Sequence, residues 1–196
     1  MKKIFFILVI TILSQQAFCQ QPTPDHFNLK KEKINKNGFI ILGSWSAANI
    51  IYGSIAASQS QGADKYFHQM NAIWNGITLG FAAVGYLSAK KESGISYEQS
   101  LKNQATIEKI FLFNTGLDVA YIAAGFYLKE RSKNTVKKPE RLKGFGESVA
   151  LQGGALLLFD AIMYSIHNSH GKQLYNMADK VQLATTANGI GVMVKL

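Results

Sequence analysis

Four long apolar segments constrain this chain more than any other feature of its sequence. They occupy residues 38–57, 72–89, 110–128 and 149–166, and none of them contains Lys or Arg. Each has about 18–20 residues, enough for a helix to cross a bilayer core of about 30 Å at 1.5 Å per residue. We therefore predict an all-α membrane protein with four transmembrane helices.

The composition of these segments favours lipid over water, although a soluble helical bundle stays open as an alternative. Gly and Ser are poor helix formers in water, whereas small residues allow helices to pack closely in lipid. Gly76 and Gly80 form a GxxxG pair in the second segment. This pair predicts a place where two helix backbones approach each other.

The beginning of the chain predicts export. Residues 1–19 have the basic, apolar and cleavage regions of a signal peptide, and a polar segment follows at residues 20–37. Cys19 is the only cysteine, so the mature chain has no disulfide and no thiolate metal site. The formal net charge is +9, but export and the clustering of basic residues in connecting segments argue against nucleic acid as a partner.

Export also predicts an orientation in the bacterial inner membrane. The mature N-terminus and the C-terminal tail are expected in the periplasm, together with a loop at 90–109. The loops at 58–71 and 129–148 are then cytoplasmic. The second of these loops is strongly basic, as the positive-inside rule requires. Lysines near the predicted outer ends agree less well with that rule.

The tail at residues 169–196 has a different pattern from the rest of the chain. Two runs of alternating apolar residues flank Asn188-Gly189, a dipeptide typical of two-residue hairpin turns. The sequence therefore predicts a short C-terminal β-hairpin. Because an isolated hairpin is only marginally stable in water, we expect it to pack on the bundle or on a partner.

An internal repeat is predicted within the bundle at residues 38–168. An offset of 69 places Asn49 and Tyr52 on Asp118 and Tyr121, and an offset of 78 aligns the second segment with the fourth. The repeats cover about 38–89 and 107–168. We predict two tandem helical hairpins with the same orientation in the membrane.

The segments YFHQMNAIWNGITLGFAAVGY, GLDVAYIAAGFYL and LQGGALLLFDAIMY also carry a resemblance. With them, the chain resembles an uncharacterised Bacteroidetes-type family of small exported four-helix membrane proteins, a domain of unknown function. The resemblance covers nearly the whole mature chain. It implies a helical bundle and an envelope location, and it implies no mechanism.

Each apolar segment carries one stripe of polar residues at helical spacing, and lipid leaves such stripes only the bundle interior. Asp118 and Asp160 fall near the middle of their segments, and a short polar residue is matched to Asp118 in the first repeat. The candidate polar site consists of Asp118, Asp160, Asn49, Asn75, Asn114, Gln152, Tyr52 and Tyr121. The hypothesis for this set is either an ion or proton site or hydrogen bonds that hold helices together.

The sequence predicts a non-enzymatic structural or interaction protein of the cell envelope. No catalytic, nucleotide-binding or metal-binding motif is present, and we expect no cofactor. The expected partners are the lipid bilayer and either a second copy of the chain or another envelope protein. The alternative is a small ion- or proton-coupled transporter or channel that uses Asp118 and Asp160.

Overall fold

Four helices form most of the part of the chain that the structure describes. The computed structural model describes residues 23–90 and 92–179, with side chains as far as residue 176, and the backbone of 181–186 and 189–194. The predicted signal peptide at 1–19 lies outside the described residues. The helices are α1 (Pro24–Gln59), α2 (Gly62–Ser88), α3 (Tyr97–Ser132) and α4 (Pro139–Asp179).

Local sequence signals explain where three helices begin. The Thr23 hydroxyl accepts a hydrogen bond from the backbone N–H of His26, and Pro24 follows at the first helical position. The Ser96 hydroxyl caps α3 in the same way, by accepting from the N–H of Gln99 at 3.1 Å. Helix α4 begins at a proline, Pro139. The local sequence therefore accounts for each of these three helix starts.

The helices are much longer than the apolar segments that predicted them. At 1.5 Å per residue, the 36 residues of α1 and of α3 span about 54 Å, and the 41 residues of α4 span about 61 Å. The predicted loops were therefore too long, because helix replaces most of 58–71, 90–109 and 129–148. The real connections are 60–61, 89–96 and 133–138.

Three of the four helices, α1, α3 and α4, are long and apolar enough to cross a membrane, judged by length and composition. Helix α2 is not among them, because no stretch of it that is long enough to span reaches the apolarity that this measure requires. The prediction of four apolar helices therefore holds for three of them by this measure.

The helices are arranged as two hairpins. Helix α1 packs mainly on α2, α3 packs mainly on α4, and the hairpins meet chiefly through α2 and α4. The amino ends of α1 and α3 and the carboxyl ends of α2 and α4 consequently lie at one end of the molecule. We call this the long end, because α1, α3 and α4 all extend there beyond their apolar segments.

Close backbone contacts set the packing within each hairpin. A Cβ added to Gly53 would lie 2.9 Å from the carbonyl oxygen of His68, and a Cβ added to Gly125 would lie 2.6 Å from that of Gly146. Neither position has room for a larger side chain. The Gly76–Gly80 pair makes no such contact, since a Cβ on Gly76 would meet nothing within 4 Å. The predicted approach of two backbones at that pair is absent within the described chain.

These contacts favour a different register for the predicted repeat. The two contacted carbonyls are 78 positions apart, as the sequence alignment has it, but Gly53 and Gly125 are 72 positions apart instead of 69. In this register Asp118 corresponds to Ser46 and not to Asn49. The duplication itself stays a prediction.

The described chain ends in two short strands, β1 (Val181–Thr186) and β2 (Gly189–Val194). They pair antiparallel, with Val181 opposite Val194 and Thr186 opposite Gly189. The residues that connect them, 187 and 188, lie outside the described part, as do the side chains of both strands. Packing of this strand pair against the bundle stays a prediction.

Candidate polar site in the bundle interior

The interior of the bundle is unusually polar. Only seven apolar side chains are buried in the described part, among them Phe27, Leu42 and Met163. The buried polar side chains outnumber them and occur in all four helices: Asn28, Lys31, Asn35, Ser46, Asn71, Asn75, Thr78, Ser100, Gln104, Asp118, Ser132, Ser148, Gln152, Asp160, His167 and His170. This distribution is the reverse of that in a water-soluble domain.

The outer surface of the bundle is apolar over one continuous stretch along the bundle axis. Ile41, Phe81, Phe113 and Leu158, one from each helix, are all more than half exposed. Nearly all other large exposed apolar side chains lie within residues 40–55, 73–87, 110–127 and 151–166. We call this surface the apolar belt. It surrounds the polar interior and coincides with the four segments predicted from the sequence.

An amide cluster joins α1, α2 and α4 inside the belt. The Asn71 side chain donates to the Asn49 side-chain oxygen at 3.1 Å, and Asn75 donates to the Asn71 carbonyl oxygen at 2.9 Å. Gln152 of α4 donates to the side-chain oxygen of Asn71. Asn71 thus links the two hairpins, and Asn71, Asn75 and Gln152 are each at most 2% exposed.

A carboxyl pair joins α3 and α4 closer to the long end. Asp118 and Asp160 are buried, and their carboxyl groups lie close enough to interact with each other, with Asn114 near Asp160. The second carboxyl oxygen of Asp118, Oδ2, has no hydrogen-bond partner in the described part.

The eight predicted site residues therefore do not form one group. Gln152 and Asp160 both lie on α4, but eight residues separate them, a rise of about 12 Å along the helix. Tyr52 is exposed and packs its ring edge against His68, and Tyr121 packs against Trp74 at 5.0 Å between ring centres. In residues 23–90 and 92–176 neither tyrosine hydroxyl bonds to either group, and the use of all eight residues as one site stays a prediction.

A second polar region lies at the long end and was missed by the sequence analysis. We call it the polar end layer; it consists of residues 24–37 of α1, 97–109 of α3 and 167–176 of α4. Asn28 donates to the Ser100 hydroxyl at 2.9 Å, and Gln104 donates to the carbonyl oxygen of His167 at 2.8 Å. The His170 ring stacks on Phe27 with ring centres 4.0 Å apart.

The connection between α2 and α3 is tied to this layer. The buried Lys31 ammonium lies 2.6 Å from a Glu92 carboxylate oxygen, and Asp25 accepts a hydrogen bond from the backbone N–H of Gly94 at 2.8 Å. Gly94 has a φ of +72°, a conformation that glycine adopts without the strain of a Cβ. The short connection is therefore held against α1 at two points.

Burial changes the pKa of several side chains in the polar end layer, which lies outside the apolar segments, and His170 and Tyr175 are two of them. Burial lowers the pKa of His170, against the opposing effect of its hydrogen bond to the carbonyl oxygen of Phe27. Burial and the neighbouring Glu108 carboxylate raise the pKa of Tyr175 to about 12. Both groups are therefore neutral near pH 7.

Sequence signals for this layer do exist. The Thr23-Pro24-Asp25 and Ser96-Tyr97-Glu98 patterns are helix starts that precede the apolar segments by more than a dozen residues. The spacing of Phe27, Lys31 and Asn35 places them on one helix face. Reading these signals would have extended α1 and α3 into the segments taken as a polar tail and a loop.

Residues 23–90 and 92–176 contain no cluster of three or more His, Asp or Glu side chains that could hold a metal ion. Fold and site together define a class: a helical protein with a polar interior and an apolar outer surface.

The chain belongs to a family of unknown function, DUF6992, whose model matches residues 41–161. No curated protein and no solved structure matches this chain. The family match covers both interior polar groups and the apolar belt except its ends, at residue 40 and residues 162–166.

Proposed function

We propose that this chain is a non-enzymatic structural or interaction protein embedded in the bacterial inner membrane. The observation that carries the proposal is the apolar belt around a polar interior. In water, exposure of so many large apolar side chains would favour aggregation. In a bilayer the same side chains contact apolar acyl chains. Polar side chains then have only each other as partners.

Helix α2 belongs to the same membrane-embedded bundle in this proposal. Its exposed face carries Ile73, Ile77, Phe81 and Val84 at the height of the belt. The residues that lower its average apolarity include Asn71, Asn75 and Thr78, all buried against the other helices. The helix is therefore apolar where it would meet lipid, and four spans are the better description.

The interior supports a structural role more than transport. The amide cluster consists of side chains that bond to one another across three helices, and such contacts hold helices together in lipid. The partners we propose are the lipid bilayer and a second copy of the chain or another envelope protein. The long end, with both termini, would face the periplasm, and the basic connection at 133–138 the cytoplasm.

Extraction tests the membrane placement. Membranes that contain the tagged protein are washed with alkaline carbonate, and the protein is expected to stay in the pellet. A soluble periplasmic bundle would appear in the supernatant, as would a known periplasmic protein that serves as control. Release of the protein would contradict the proposal.

The second candidate is an ion- or proton-coupled transporter or channel. The observation that favours it is the carboxyl pair, in which Asp118 and Asp160 lie close together in the interior and Asp118 Oδ2 has no hydrogen-bond partner in the described part. In a low-dielectric interior, two adjacent carboxyl groups bind a proton or a cation because both cannot ionise at low cost.

Carbodiimide labelling in native membranes separates the two functions, because this reagent attacks protonated carboxyl groups in apolar surroundings. A structural pair is expected to label weakly, with no dependence on pH or Na⁺, and Asp118→Asn should assemble normally. Labelling that falls with rising pH or is blocked by Na⁺ would support transport. Asp64→Asn, at an exposed acid on α2, is the control.

A further inference from the structure

A strongly basic surface lies at the end of the bundle opposite the long end. We call it the basic turn; it consists of residues 129–143, which form the end of α3, the connection to α4 and the start of α4. Seven of these fifteen residues are basic and two are acidic. All nine charged side chains are exposed. The basic turn therefore presents a concentrated positive charge at the molecular surface.

The acidic side chains in and beside the basic turn already have favourable positions of their own. Glu147 pairs with Lys129 at 3.0 Å, and Glu130 pairs with Lys133 at 2.7 Å. Glu140 lies beside the first residue of α2, where the helix dipole favours a carboxylate. Five basic side chains have no ion pair within the described chain: Arg131, Lys137, Lys138, Arg141 and Lys143. An anionic partner can bind them without displacing a carboxylate of this chain.

The height of the basic turn brings it to the membrane surface. On α3, Arg131 lies four residues beyond Tyr127, where the apolar belt ends, a rise of about 6 Å. On α4, Lys143 lies eight residues before Leu151, where the belt begins, a rise of about 12 Å. The headgroup layer extends about 5–8 Å beyond the hydrocarbon core. Both basic groups therefore lie within about one Debye length of the lipid phosphates.

The continuity of the basic turn with the apolar belt selects a lipid as the occupant. Phe126, Tyr127 and Leu151 form the edge of the belt next to the basic turn, and all three are more than half exposed. An anionic phospholipid matches both surfaces, since its acyl chains contact the belt while its phosphate lies at the height of the basic side chains. A soluble anion matches only the basic part.

We propose that the basic turn binds anionic phospholipids, such as phosphatidylglycerol, from the leaflet next to it. Arg131 and Lys143 contact the lipid phosphate, and the other unpaired basic side chains attract further anionic headgroups. The proposal rests on the membrane placement given above and adds a lipid preference to it. In the orientation proposed there, the leaflet is the cytoplasmic one.

Native mass spectrometry of the detergent-purified full chain tests the proposal. The protein is titrated with phosphatidylglycerol and, separately, with phosphatidylcholine of the same acyl chains, which has no net charge. We expect phosphatidylglycerol to bind more tightly, and the difference should shrink as ionic strength rises, because salt screens exposed charges.

Paired substitutions locate the binding. Arg131→Gln combined with Lys143→Gln should weaken phosphatidylglycerol binding about 25-fold, at about fivefold for each basic residue near an anionic surface. The charge-preserving pair, Arg131→Lys with Lys143→Arg, should keep most of the binding. Lys33→Gln combined with Lys102→Gln, at two exposed lysines of the long end, is the matched control and should leave the binding unchanged.

Three results would overturn the proposal. The first is equal affinity for the two lipids, and the second is an equal loss of binding in the basic-turn pair and the long-end control. The third is displacement of phosphatidylglycerol by soluble glycerol 3-phosphate, which would make the basic turn a site for a free phosphate ester. If the protein stays in the carbonate-washed pellet and still shows no lipid preference, only the lipid proposal fails. If carbonate releases the protein, the membrane placement fails first.

Discussion

At the residue scale, this chain buries amides and hydroxyls where a soluble protein buries leucines. Asn71 accounts for much of the link between the hairpins, since it bonds to Asn49 on α1 and accepts from Gln152 on α4. The sequence predicted Asn49, Asn75 and Gln152 as inward-facing residues. It did not single out Asn71 as their common partner, because that depends on the rotation of each helix.

We expect Asn71→Ala to destabilise the bundle by about 1–2 kcal/mol, the upper range for polar contacts between helices in lipid. The substitution removes bonds to two other helices and leaves the buried Gln152 amide without an acceptor. Unfolding in mixed detergent–SDS micelles, followed by tryptophan fluorescence, measures the change. Asn37→Ala, at an exposed asparagine on α1, should have little effect. Equal stability of the two variants would contradict a central role for Asn71.

At the element scale, glycines decide how closely the helices of each hairpin approach. Gly125 on α3 faces the backbone of α4, where an added Cβ would lie 2.5 Å from the Ala150 nitrogen. Gly116, two and a half turns earlier on the same helix, has open space around it. The sequence shows both as glycines in an apolar segment, and only the packing separates the structural one from the other.

Gly125→Ala should push α3 away from α4 and lower the free energy of unfolding by about 1–3 kcal/mol, as overpacking does in a tight interface. Gly116→Ala is the matched control, and it should be neutral or slightly stabilising because alanine favours helix. The same micelle unfolding assay compares the two. A stable Gly125→Ala protein would mean that the helices do not approach as closely as described.

At the scale of the whole molecule, the two ends are different. The long end carries the polar end layer, in which α1, α3 and α4 continue beyond the belt and bond to one another. The opposite end has short connections, 60–61 and 133–138, and basic residues that include Arg131, Lys137 and Arg141. At the opposite end only α2 and α4 continue for more than about one turn beyond the belt, by 11 and 12 residues, whereas three helices do so at the long end.

Single cysteines in a Cys19→Ser background can report which end is outside, since Cys19 is the only cysteine in the sequence. Lys102→Cys lies in the polar end layer, and Lys137→Cys lies in the connection between α3 and α4; both lysines are exposed. With a membrane-impermeant maleimide on intact cells, we expect Lys102→Cys to react and Lys137→Cys to react only after permeabilisation. The reverse pattern would invert the proposed orientation, and reaction of both in intact cells would contradict a membrane crossing between them.

The sequence by itself determined the features that follow from local spacing. Four apolar segments, the polar stripe on each, and the helix starts at Thr23-Pro24 and Ser96-Tyr97 all depend on residues within a few turns of one another. Only the tertiary structure decided that Asp118 meets Asp160 while Tyr52 faces outward, and that Gly125 is packed where Gly116 is open. Helix rotation and crossing are set by contacts between segments far apart in sequence, and periodicity along one helix carries no information about its neighbour.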